Sequence, residues 1–165
     1  MTSSVRYVLV VAAALALGAC RQADGQMPTP SADTQAELGD IVRDLQNIAT
    51  SSDPQAPQDL VDDLKKYADR VEAEPAVEAL SRSTASAVSG LELPEQSAER
   101  LAHSLWTSIA AQELSERQIE SLQTDMRLLL VSVGVTEASA EQVASQVGEV
   151  QQAVSARPRR WYEVF

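Results

Sequence analysis

The sequence predicts an all-α domain, a small bundle of five or six short helices. Three observations carry that expectation. Apolar residues recur at steps of three and four, as in Leu38, Ile41, Val42, Leu45 and Ile48, which is the period of a helix with one buried face. Alanine is abundant, aromatics are only 4% of the residues, and the β-branched, aromatic-rich runs that mark strands are missing. A short string that reads as a helix start begins at residues 93, 114 and 135, one period of 21 residues apart.

Each element has its own signals. The first helix starts at Asp33 and carries the stripe just named. Residues 51–57 (SSDPQAP) break it. A second helix is expected over about residues 58–73, with Leu60, Val61, Leu64, Tyr67, Ala68 and Val71 on one face. Pro75 opens a third segment that Gly90 closes, and Pro94 opens a fourth. Gly134 is a C-terminal stop for a fifth, because glycine tolerates the left-handed backbone that ends many helices. A sixth runs over about residues 136–156, before Pro158.

The repeated string reads [Leu/Val]-[Pro/Ser/Thr]-Glu-x-x-x-Glu-x-[Leu/Val], from Leu93 to Leu101, Leu114 to Leu122 and Val135 to Val143. Glu74, Glu78 and Leu80 fit the frame one period earlier, less completely. Ser115 and Thr136 suit an N-cap, whose oxygen accepts an orphan backbone N–H. Ser115 with Gln118 has capping-box spacing, and Leu114/Ile119 and Val135/Ala140 have the spacing of a hydrophobic staple. The first Glu of each string falls near the positive end of a helix dipole. Three heptads also make 21, so one continuous helix over residues 94–133 would show the same period. A break between Gln112 and Glu116 is favoured, because Pro94 and Gly134 mark the other edges of the repeat.

The start of the chain is a different object. Arg6 precedes YVLVVAAALAL at residues 7–17, too short for a bilayer span of ~20 residues and the length of a signal-peptide core. Residues 1–19 are therefore expected to be a cleaved signal peptide. Leu17-Gly18-Ala19-Cys20 holds the single cysteine and resembles the lipobox of bacterial lipoproteins. That resemblance implies diacylglycerol on the Cys20 thiol, cleavage before it, and acylation of the new amine. Several buried acyl chains make such an anchor effectively permanent. Arg21 stands where an Asp would imply inner-membrane retention, so in a Gram-negative cell the resemblance implies an outer-membrane lipoprotein facing the periplasm.

Residues 20–32 then form the lipidated cysteine and a flexible tether, rich in Pro, Gly and small polar residues. Residues 33–156 form the helical domain and residues 157–165 a basic-aromatic tail. The mature part, about 145 residues, is one domain and can bury a core. With Cys20 acylated no thiol remains for a disulfide or a metal. The formal charge of −11 becomes −12 when Arg6 leaves with the leader. An acidic surface repels phosphate backbones, so nucleic acid is not an expected partner.

Candidate chemistry is sparse. The pairs Glu95/Glu99, Glu116/Glu120 and Glu137/Glu141 could bind a cation. Capping and a solvated face explain them better, and alternating helix directions would hold the second pair far from the other two. His103, the one histidine, shares a helix face with Glu99. A di-metal site of the ferritin type needs Glu-x-x-His twice, and no G-x-S-x-G nucleophile pattern occurs. Asp62 and Lys66 have helix-supporting i,i+4 order. No cofactor or metal is expected.

In the tail, Arg157, Arg159 and Arg160 adjoin Trp161, Tyr162 and Phe165. This segment either folds back, aromatics in a groove and arginines on acidic helices, or docks onto another envelope protein or an interface. The expected function is a membrane-anchored, non-catalytic interaction or structural lipoprotein, joined to membrane lipid through Cys20 and to another envelope protein. The alternative is a periplasmic binder of an apolar ligand or unfolded chain through a helical groove.

Overall fold

The structure, a computed structural model, describes residues 30–111 and 114–156. It is all-helical: α1 (Ala32–Thr50), α2 (Ala56–Lys65), a 3₁₀ turn (Val71–Ala73), α3 (Glu74–Val88), α4 (Glu95–Ala110), α5 (Glu116–Ser132) and α6 (Glu137–Ser155). Among the described residues none of these helices is long and apolar enough to cross a membrane.

The nine-residue string that recurs every 21 residues is a helix start used three times, and its partial copy at Glu74 makes a fourth. Glu74, Glu95, Glu116 and Glu137 are the first residues of α3, α4, α5 and α6. Leu80, Leu101, Leu122 and Val143, six positions later in each helix, are all buried. So are Thr84, Leu105, Met126 and Val147 ten positions later, and Val88, Ile109, Leu130 and Gln151 fourteen positions later. The caps form as the spacing requires. Gln118 Oε1 accepts from the Ser115 N–H at 2.9 Å and its hydroxyl at 2.8 Å. Thr136 Oγ1 accepts from the Ser139 N–H at 3.3 Å. Since α4 ends at Ala110 and α5 begins at Glu116, the chain breaks there rather than running on as one helix.

The helices close into a ring. Helix α1 packs on α2 and α4, α2 on α3, and α3 on α6. Helix α6 makes its most extensive contact with α5 and also touches α4. The core holds Ile41, Leu45, Leu60, Leu64, Leu80, Leu101, Leu105, Met126 and Leu130, all fully buried. Each such side chain stabilises the fold by roughly 1.5–3 kcal/mol through removal from water.

Three bonds fix the directions. The Gly90 N–H, where φ is +74°, donates to the Ala49 carbonyl at 3.0 Å. The start of α4 therefore lies by the end of α1, and the two helices run antiparallel. The buried Gln151 of α6 donates its amide to the carbonyls of Ser108 at 2.7 Å and Ala111 at 3.1 Å. Those carbonyls are orphans at a helix end, so a side chain from α6 caps α4. The last turn of α6 thus sits by the end of α4, and the start of α1 lies at that same end.

Three local expectations are corrected. The first helix starts at Ala32, with Ser31 as its cap accepting from the Thr34 N–H at 3.2 Å, so the tether gives way to helix one residue early. The second helix stops at Lys65 instead of continuing to residue 73. Tyr67 and Ala68 bond back three residues, to Leu64 and Lys65, and the Tyr67 hydroxyl donates to Glu37 of α1 at 2.7 Å. Pro75 then fixes a new start, and Val71 is left 75% exposed. Finally, Lys66 pairs with Asp63 at 2.6 Å rather than Asp62, because the tightened turn aligns side chains three apart; Asp62 accepts from Gln58.

Candidate functional site: the groove between the first and fourth helices

Cys20 and the tail residues Arg159, Arg160, Trp161, Tyr162 and Phe165 lie outside the described residues. What the structure does place is a surface groove of about 550 Å³ where α1 and α4 run antiparallel. From α1 come Gln35, Leu38, Gly39, Val42, Arg43 and Gln46, with Pro30 ahead of the helix. From α4 come Glu95, Glu99 and His103. These three stand four apart, so each is one turn above the last on one face. The apolar period of α1 sends Ile41, Leu45 and Ile48 into the core and leaves Leu38 and Val42 half-buried at the groove. The groove is therefore a short apolar strip beside two carboxylates.

His103 shares this face with Glu99, as the spacing requires. It is exposed, its ring meets Trp106 edge-on at 5.7 Å between centroids, and its Nδ1 lies 3.4 Å from the Thr107 hydroxyl. Thr107 itself is buried. Among the described residues no three of His, Asp and Glu converge in a metal-ligating cluster.

The other glutamate pairs have different fates. Glu137 and Glu141 both meet the Arg127 guanidinium of α5, Glu137 through Nη1 and Glu141 through Nε at 3.7 Å. The cation that this pair holds is an arginine. Glu120 of the second pair lines the same shallow groove as Arg127 and Glu141. The two ends of that groove are separated by the two turns of α5 between Glu120 and Arg127. Glu78 of α3, in turn, accepts from Lys65 and Arg82, both at 2.7 Å, tying α3 to the end of α2 and lowering its own pKa.

Among the described residues, one charged side chain lies inside the fold. Asp44 of α1 is 4% exposed and its Oδ2 has no hydrogen-bond partner. Burial first, then the carboxylates of Asp63 and Asp59 on α2 and of Asp40 on α1, against the single opposing charge of Arg43, push its pKa from 3.8 up to about 6. Lost solvation and like charges both disfavour the ionised form. Asp44 sits between Ile41 and Leu45 on the apolar stripe, and Gln151 likewise interrupts the apolar stripe of α6. A polar residue on an apolar face was the signal for both, and it does not say which partner the residue meets.

The fold and groove define the class: a small acidic all-helical domain with an apolar-acidic surface groove. No family model, curated protein or solved structure matches this chain.

Proposed function

We propose that the chain is a bacterial lipoprotein of the cell envelope. The thiol of Cys20 is acylated, and the helical domain acts as a non-catalytic interaction or structural module. One observation carries this reading. The lipobox-like Leu17-Gly18-Ala19-Cys20 is followed closely by a folded domain, whose first cap is Ser31. The residues between Cys20 and Ser31 can reach ~35 Å at most, at ~3.3 Å per residue. That spacing supports a domain held near, and clear of, a lipid surface. An acidic domain on a tether also suits repulsion from anionic headgroups. Arg21 supports outer-membrane delivery if the cell is Gram-negative, and another envelope protein is the partner class this placement offers.

The test is mass spectrometry of the mature N-terminal peptide together with membrane flotation. The expected result is a triacylated Cys20 and flotation with membranes, both lost in Cys20→Ser. A bare thiol, or a Cys20→Ser chain that matures and floats like the parent, overturns the reading.

A further inference from the structure

We infer that residues 157–165 occupy the α1–α4 groove of their own domain. The inference does not depend on lipidation. It starts from where the described chain ends. Helix α6 finishes at Ser155, one turn past Gln151, and Gln151 is bonded to the end of α4. The tail therefore starts at the end of the bundle where α4 stops and α1 begins. The groove opens at that end through Pro30 and Gln35 and runs past His103 and Glu99 to Glu95.

The lengths agree. From Ala110 back to Glu95 is ~22 Å at 1.5 Å per residue, and residues 157–165 span up to ~30 Å when extended. The chemistry agrees as well. The tail brings Arg157, Arg159 and Arg160 together with Trp161, Tyr162 and Phe165. The groove offers Glu95 and Glu99, exposed and without an ion-pair partner among the described residues, beside half-buried Leu38 and Val42. Arg43, on the α1 wall of the groove, is paired with Asp40 at 2.9 Å rather than with either glutamate. A segment joined to the mouth of its own groove also has an effective concentration in the millimolar range, which outcompetes weak external partners.

The experiment uses the full mature chain, residues 20–165. Methyl–aromatic NOE spectra are expected to show the rings of Trp161 and Phe165 against the methyls of Leu38 and Val42. Trypsin supplies a second readout through cleavage after Arg159 and Arg160, which follows the undocked population. In a Glu95→Gln/Glu99→Gln double variant the cross-peaks weaken and this cleavage becomes roughly threefold to tenfold faster, the worth of two exposed ion pairs. Glu116→Gln/Glu120→Gln, the same two repeat positions on α5, removes equal charge away from the groove and leaves both readouts as in the parent. Absence of the cross-peaks overturns the inference. So does their appearance only between differently labelled molecules, which gives the groove to a second copy. So does a tail that contacts anionic phospholipid vesicles while the groove methyls stay unshifted.

Discussion

The α5–α6 pair and the α1–α2 pair are both consecutive helices joined by a short turn, yet they handle charge and backbone strain in opposite ways. In α5–α6 the charges sit outside and match: Arg127 lies between Glu137 and Glu141. The turn uses Gly134 at φ +100°, and the Val135 N–H returns to the Leu130 carbonyl at 3.0 Å. In α1–α2 a carboxyl is inside, facing like charges. The turn places Ser51, not glycine, at φ +52°. Both pairs bury comparable apolar side chains. The difference lies in the polar groups, and it makes α1–α2 the more pH-sensitive and more strained half of the ring.

The largest effects should not distinguish the two pairs. Leu45 of α1 and Leu130 of α5 are both fully buried. Leu45→Ala and Leu130→Ala should each cost about 2–5 kcal/mol, the transfer term plus the cavity left behind, read from urea unfolding. A loss at Leu45 far below that at Leu130 would break the comparison, because it would locate the weakness of α1–α2 in its apolar packing.

Asp44 should separate them. With its pKa raised from 3.8 to about 6 in the folded chain, the folded state binds the proton more tightly than the unfolded state. The stability this contributes is fully present below pH 3.8 and is lost as pH rises through 6. At 1.36 kcal/mol for each tenfold change in proton affinity, the loss at neutral pH is roughly 3 kcal/mol. Asp44→Asn should remove the slope between pH 4 and 6. It should also raise stability at pH 7.5 by about 1–2 kcal/mol, less than the full amount because an amide must be buried instead. Denaturation midpoints across pH 4 to 8 check this, and an unchanged slope would show that the carboxyl ionises freely.

The turns give a smaller, signed pair of effects. Gly134→Ala should cost about 1–2 kcal/mol, since a Cβ is strained at that φ. Ser51→Gly should gain about 0.5 kcal/mol, the relief of the left-handed strain partly offset by the greater freedom glycine has in the unfolded chain. Thermal unfolding of both variants reads the two signs. A loss at Ser51→Gly would mean that the serine earns its place there.

What was legible in the sequence follows the range of the forces involved. The starts of α5 and α6 could be read because cap, staple and dipole act within one turn of the chain, and that of α4 because Pro94 marks it. The stop of α2 could not, because the apolar period runs on through Val71 while the stop is set by Tyr67 reaching Glu37 and Lys65 reaching Glu78. Gln151 was illegible for the same reason: its partners are Ser108 and Ala111, at the end of a helix two elements back. Of the groove, the shared face of Glu99 and His103 was readable from spacing. Its other wall was not, since α1 and α4 are neighbours in space but not in sequence.

Arg127 offers the finest test of the matched pair. Its side chain is 34% exposed, and those of Glu137 and Glu141 are 61% and 71% exposed. Solvent therefore screens most of the attraction, and Arg127→Met, which keeps much of the stem, should cost only about 0.2–1 kcal/mol. Salt decides whether that cost is electrostatic. At ~1 M the screening length falls to about 3 Å, so parent and variant should converge in stability when unfolded by urea at high salt. A gap that persists there would mean that Arg127 holds α5 to α6 by packing of its methylenes. The contrast with Asp44 would then be one of side-chain volume rather than of charge.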